Sequence, residues 1–187
     1  MSNLVETLSK FDFLSKKNIS QFLGLTQQKK LKKGSFLIKA GETCTCLAFL
    51  ESGTMRSYYL KDEKDITVSF SLDGDFITSM SSFIQQKPSY EYITALEDCA
   101  LKSINYQNLM NLLRQEKELS EAYRQILESY YVQLEEQLIF SKFKSAKERY
   151  VELIEKQPQI IQKAAIGQIA SYLDMSIETL SRIRSGI

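Results

Sequence analysis

The sequence predicts an α+β chain, with an antiparallel β domain first and an all-helical half after it. Three observations carry this reading. Between Gly34 and Ile104, short runs rich in aromatic and β-branched residues alternate with Gly, Asp and Lys turns. After Asn105 the texture becomes helical, including a stretch from about Glu118 to Lys142 with neither Gly nor Pro. The composition, 43% hydrophobic and 25% charged over 187 residues, supplies a core for one large domain or two small ones.

The elements follow in order. Ile19, Phe22 and Leu23 fall at helical spacing, so a helix is predicted over Ser15–Leu25. The segments SFLIKAG, CLAFLESG, MRSYYLKDEKD, ITVSFSLDGDF, YEYITALED and ALKSI read as short strands of an antiparallel barrel or sandwich rather than βαβ units. Asp62–Asp65 and Asp73–Gly74 read as hairpin turns, because Asp and Gly tolerate the backbone angles that such turns need. FITSMSSFIQQKPSY starts as a strand and turns helical before Pro88. NYQNLMNLLRQ is a short helix. In the long helix after it, Leu127, Tyr131, Leu134 and Leu138 step by four, three and four residues, the seam of a helix that pairs with another. Tyr123, Ile126 and Tyr130 widen that stripe, so one side can face the β domain and the other a twin subunit. A third helix spans about Lys144–Lys156. Two short helices close the chain, Ala164–Leu173 and Ile177–Ile183, joined by Asp174, Met175 and Ser176.

Several function classes are disfavoured. No run of 18 apolar residues exists, so no membrane span is expected. The N-terminus has acidic residues and no apolar signal core, which points to the cytoplasm. Three cysteines (Cys44, Cys46 and Cys99) without CxxC spacing suggest neither a disulfide framework nor a zinc site. The absence of histidine removes Ser-His-Asp and Cys-His catalysis and histidine-held metal or haem, so no catalytic residue, cofactor or metal is assigned and no enzyme is expected. The net charge is +1, but residues 141–187 carry 8 Lys/Arg against 5 Asp/Glu, whereas residues 111–140 carry 3 against 6. The basic end is the place to look for a polyanion partner.

The terminal hairpin IASYLDMSIETLSRIR has the chemistry of a helix-turn-helix. Ala170 is small where two helices must cross, and Ile169, Leu173, Leu180 and Ile183 form a shared core. Asp174 tolerates positive φ in the turn and Ser176 can cap the second helix. Ile177, Glu178, Thr179, Ser181 and Arg182 then face outward. Arginine can pair with guanine and glutamate can accept from cytosine N4, and these two residues, four apart, share a face. A plain αα-hairpin with an ordinary Glu178–Arg182 pair is the competing reading.

This hairpin resembles that of the cyclic-AMP receptor protein/fumarate-nitrate reduction regulator family, Crp/Fnr for short. KKGSFLIKAGE, with Gly34 and Gly41, resembles the family's opening β-roll motif; LESGTMRSYY, with Gly53, resembles its next hairpin; ALEDC resembles the strand after its ligand cassette. The resemblance implies a jelly-roll-like β-roll sensor of the cyclic-nucleotide-binding type (1–117), a dimerisation helix (118–142) and a minimal winged-helix type of helix-turn-helix domain (143–187). The last is expected to be minimal because the sequence stops at Ile187. It further implies a homodimer on a pseudo-palindromic operator, RNA polymerase as a partner and a small-molecule effector of unknown identity. Glu178 and Arg182 match the family's base-reading pair and Ser176 a phosphate contact. Ile177 stands where a polar residue is common, and Thr179 and Arg184 lie near the DNA backbone. Ala165 and Gly167 replace phosphate-contacting side chains, with Lys163 and Arg184 as substitutes. The family's ligand-holding Gly-Glu and Arg-Ser pairs fall on Thr78–Ser79 and Ser89–Tyr90. Neither pair is present, which argues against a cyclic nucleotide. Arg56 and Lys87 are the cations that could substitute. The iron–sulfur branch needs four cysteines and the haem branch a histidine, so both are disfavoured.

Overall fold

The computed structural model describes residues 3–62 and 64–186. Two helices open the chain, α1 (Asn3–Leu8) and α2 (Lys16–Gly24). The first, absent from the sequence reading, is too short to show a period, yet it buries Leu4 and Leu8 completely or nearly so. Ser15 caps α2 by accepting from the Asn18 N–H.

Eight strands follow: β1 (Gln27–Leu31), β2 (Phe36–Ile38), β3 (Cys46–Ser52), β4 (Met55–Lys61), β5 (Lys64–Ser71), β6 (Phe76–Ile77), β7 (Tyr92–Ala95) and β8 (Cys99–Asn105), with the short helix α3 (Met80–Gln85) between β6 and β7. They form two antiparallel four-stranded sheets, ordered β1-β8-β3-β6 and β2-β7-β4-β5. Together these make a β-roll, within the barrel-or-sandwich reading. Its interior is filled by Leu47, Phe49, Met55, Ile93, Leu101 and Ile104, with the Phe49 and Phe76 rings edge to face at 5.1 Å.

The strand boundary is corrected at one end, since pairing begins at Gln27, before Gly34. QQKKL shows almost no apolar alternation because β1 lies at a sheet edge with four of its five residues exposed. Both expected turns are present: Asp62 has φ +49° and Gly74 φ +96°. Gly53 is demanded twice over. It has φ +113°, and a Cβ there would stand 2.5 Å from the Cys99 sulfur.

The helical half comprises α4 (Tyr106–Gln115), α5 (Lys117–Phe143), α6 (Ala146–Lys156), α7 (Pro158–Lys163), α8 (Ile166–Tyr172) and α9 (Ile177–Ser185). Pro158 does not simply end the third predicted helix; it occupies the first turn of α7, where its missing N–H costs nothing. At the start of α5, the Glu118 carboxylate accepts from the Ser15 N–H and the Asn18 amide, both at 2.8 Å. Leu119 and Ala122 are buried in the roll's core, so the first turns of α5 belong to the β domain. Beyond them the apolar residues come to the surface. Leu127 is half-buried. Tyr131 is 67% exposed, Leu134 44% and Leu138 60%, with Val132, Ile139 and Phe143 exposed beside them.

The last four helices share a second core of Tyr150, Leu153, Ile160, Ile169, Ala170, Leu173 and Leu180. Phe70 and Leu96 of the roll belong to that same core. The C-terminal helices are therefore packed onto the roll. Among the described residues, no helix is long and apolar enough to cross a membrane.

Candidate nucleic-acid interface and effector pocket

The hairpin forms as its residues dictate. Ile169, Ala170, Leu173 and Leu180 are buried, and Ala170 lets α9 cross closely. Asp174 adopts φ +50°, with the Met175 N–H donating back to the Ala170 carbonyl at 3.0 Å. Ser176 caps α9 by accepting from the Thr179 N–H at 3.1 Å, and its hydroxyl also meets that of Thr179 at 3.2 Å. Thr179 is thereby half-buried, while Ser176, Ile177, Glu178, Arg182 and Arg184 are exposed on one helix. The backbone N–H of Glu178 and the Ser176 hydroxyl hold the Glu178 carboxyl below the usual range, so it is an ionised acceptor at neutral pH. Among the described residues no ion pair joins Glu178 to Arg182, so the routine i,i+4 pair is not formed.

Ile177 and Gly167, two departures from the family pattern, are neighbours. The Ile177 Cδ1 lies 3.5 Å from where a Gly167 Cβ would stand. Lys163, the other expected substitute, pairs with Glu97 of the roll at 2.6 Å. Arg184 remains exposed on α9.

Arg149 is the residue that sequence reasoning missed. Its guanidinium donates to the carbonyls of Leu173 at 2.9 Å, Lys144 at 2.7 Å and Asp174 at 3.2 Å. It ties α6 to the turn and so fixes the angle at which α9 leaves. Its acceptors are main-chain groups, which leave no side-chain signature in a sequence. Ser171 was also missed. Its hydroxyl accepts the Thr67 N–H of β5 at 2.9 Å and donates to the Asp65 carbonyl at 3.3 Å, while the Tyr172 and Phe70 rings meet edge to face at 5.1 Å.

The structure brings together three of the four residues at the family's ligand positions. The buried hydroxyls of Ser79 and Ser89 stand 2.9 Å apart, and Ser89 also accepts the Glu91 N–H at 3.0 Å. Thr78 donates to the Cys46 carbonyl at 2.9 Å. Tyr90 does not join them. It is 65% exposed and leans on Tyr59 at 5.4 Å between ring centres. Of the two candidate substitute cations, Arg56 is engaged elsewhere. Arg56 makes a bidentate pair with Asp65 at 2.6 and 2.7 Å, donates to Thr67 at 2.9 Å and lies over the Tyr58 ring at 4.0 Å. Met55, its neighbour, points into the roll, so alternation along β4 turns Arg56 to the outer face beneath α8. Lys87 is exposed. Glu91 closes on the serines; burial pushes its carboxyl up, and Ser79 is its hydrogen-bonding partner. A cleft of about 430 Å³ lies elsewhere, lined by Gly53, Thr54, Asp73, Glu97, Asp98 and Gln159. Its carboxylates make it a poor place for an anion. Among the described residues, no group of three or more Cys, Asp or Glu side chains is arranged to hold a metal ion.

Comparison with known proteins agrees with this architecture. Residues 28–116 match the model of the cyclic nucleotide-binding domain. The chain is 26% identical to the anaerobic regulatory protein of Aggregatibacter actinomycetemcomitans over 184 residues, covering 91% of this chain and 70% of that protein. It is 25% identical to the fumarate and nitrate reduction regulatory protein of Vibrio cholerae, covering 91% and 72%. The fold is similar to that of FixK2 from Bradyrhizobium japonicum, with a TM-score of 0.73 at 16% identity over 86% of this chain and 83% of that one. Domain, order of elements and relatives converge on one likeness: the chain is similar to the Crp/Fnr regulators of bacteria and shares their fold.

Proposed function

We propose that the chain is a homodimeric, DNA-binding transcription regulator whose sensor answers to something other than a cyclic nucleotide. The observation that carries the reading is the outer face of α9. There an ionised Glu178 in the first turn and Arg182 one turn further on stand exposed and unpaired with each other on a capped helix. Paired through the exposed apolar run of α5, two such helices would sit about 34 Å apart and meet successive major grooves of a pseudo-palindromic operator. Glu178 and Arg182 would read bases. Ser176, Ile177, Thr179 and Arg184 would face the DNA backbone or the groove wall, and RNA polymerase would be the downstream partner.

Cyclic AMP and cyclic GMP fit poorly. Their phosphate would enter among Thr78, Ser79 and Ser89 with no arginine at the ligand positions and the Glu91 carboxyl beside Ser79. The effector is therefore proposed to be another small molecule or a chemical change in the sensor itself.

The test is binding to the DNA upstream of the chain's own gene, across a salt series. Sequence-specific binding with a steep salt slope supports the regulator. Replacing Arg182 by Ala is expected to cost about 1–3 kcal/mol and relax preference at one base position. An unchanged preference would sink that assignment. A second reading, a scaffold acting through protein contacts, draws on Lys163 being spent on Glu97 and on the missing side chains at Ala165 and Gly167. Absence of DNA binding even at low salt would favour it.

A further inference from the structure

Arg149 places all three guanidinium nitrogens on main-chain carbonyls. Nε donates to Leu173 at 2.9 Å, one Nη to Lys144 at 2.7 Å and the other to Asp174 at 3.2 Å. These acceptors lie in two separate places. Leu173 and Asp174 belong to the turn between α8 and α9, whereas Lys144 directly follows α5. A guanidinium bound on one side alone would brace the hairpin. This one spans from the end of the long helix to the turn that launches α9.

Both corners are stiff. Ser145 closes a reciprocal cap on α6: its hydroxyl accepts the Glu148 N–H at 3.3 Å, and its own N–H donates to the Glu148 carboxylate at 2.8 Å. The Lys144 ammonium pairs with Glu152 of α6 at 2.5 Å. At the other corner Asp174 holds φ +50°, and the Met175 N–H donates to the Ala170 carbonyl at 3.0 Å. Tyr150 and Leu153 also press α6 against Leu173 and Leu180, but apolar contact is non-directional and permits sliding. The planar fork supplies the direction that packing lacks.

We propose that Arg149 is the positioning residue that couples α5 to α9, so that pairing of α5 with its twin sets the distance between two recognition helices. The inference rests on the homodimeric, DNA-binding reading above. The tolerance is narrow. Base pairs stand about 3.4 Å apart along the duplex, and each protomer of a two-fold dimer supplies half of any change. A shift of about 1.7 Å per protomer therefore moves the helices one base pair out of register, which is less than the length of a hydrogen bond. Lysine at this position would keep the charge but could not meet both corners in one plane.

The experiment selects sites from a pool of randomised double-stranded DNA with the full chain, with Arg149→Gln and with Arg149→Lys, and sequences the enriched duplexes. The unaltered chain is expected to enrich one half-site motif, repeated with two-fold symmetry at a single spacing. Both variants should enrich the same motif at several spacings, with binding at the parent spacing weakened at least about tenfold. A substitution that only destabilised the fold would weaken binding at every spacing alike and leave the preferred one in place. That outcome, or a single spacing kept by Arg149→Lys, overturns the coupling role while DNA reading stands. No enrichment by the unaltered chain, even at low salt, overturns the DNA reading and this inference with it. Should both variants fail to fold, the unaltered chain decides, on duplexes carrying its motif with one base pair added between the half-sites. Binding should fall at least about tenfold, and an unchanged affinity overturns the proposal.

Discussion

Gly53 shows how sharply one residue can be constrained. The sequence marked it as a turn glycine on the strength of a family likeness, and the structure adds a reason that no sequence pattern carries. A Cβ would meet the Cys99 sulfur at 2.5 Å, the Cys99 Cα at 3.0 Å and the Asp98 carbonyl at 3.1 Å, on a backbone with φ +113°. Gly53→Ala should therefore lower stability by about 2–4 kcal/mol, read by chemical unfolding. Cys99→Ala in the same chain should restore little, because the remaining clashes are with backbone. Full rescue would show that the sulfur alone mattered. The hairpin residues were legible for a different reason. Ser176, Asp174 and Ala170 each satisfy a local rule, for a cap, a positive φ and a close crossing. Arg149 and Ser171 were illegible because they bond to main chain of distant segments.

At the scale of elements, legibility followed apolar periodicity. The long helix, the terminal hairpin and the strands with buried alternate residues all declared themselves. What stayed hidden was short or polar: α1, α7 and the edge strand β1, whose exposed Lys29 and Lys30 give no alternation to find. The seam on α5 was read with two possible partners, and the helix divides the work along its length. Leu119 and Ala122 serve the roll, and Tyr131 and Leu134 face outward. An exposed apolar run of this kind calls for a cover. If the chain pairs through this face as proposed, Leu134→Glu should shift it from dimer to monomer in sedimentation or light scattering, while leaving the far-ultraviolet circular dichroism unchanged. A variant that stays dimeric would place the pairing surface elsewhere.

At the scale of the whole molecule, the C-terminal helices are held to the roll by a mixed contact. Phe70 and Leu96 supply apolar surface, Ser171 supplies hydrogen bonds, and Lys163 pairs with Glu97. Lys163 and then the Thr54 hydroxyl hold the Glu97 carboxyl below its ordinary value. A carboxyl depressed in the folded state contributes stability that is full above its unfolded pKa of about 4.5 and lost as pH falls through the lower folded value. Acidification below about pH 4.5 should loosen the two halves, seen as more rapid hydrogen exchange at Thr67, and Glu97→Gln should abolish that part of the pH dependence. Equal pH sensitivity in the variant would assign the loosening to other carboxylates, with Glu152 and its two lysines the next to test.

The Ser171 hydroxyl also has a bearing on aggregation. A sheet edge with open N–H and C=O groups is a template for pairing with other chains. The two sheets guard their edges differently: β1 carries a row of lysines, whereas β5 has the Thr67 N–H and the Asp65 carbonyl stoppered by one side chain of α8. Detaching the reading half would uncork that edge, with Ile66 and Val68 already partly at the surface. Sliding α8 along β5 would keep that edge covered, whereas a full release would leave a sticky strand.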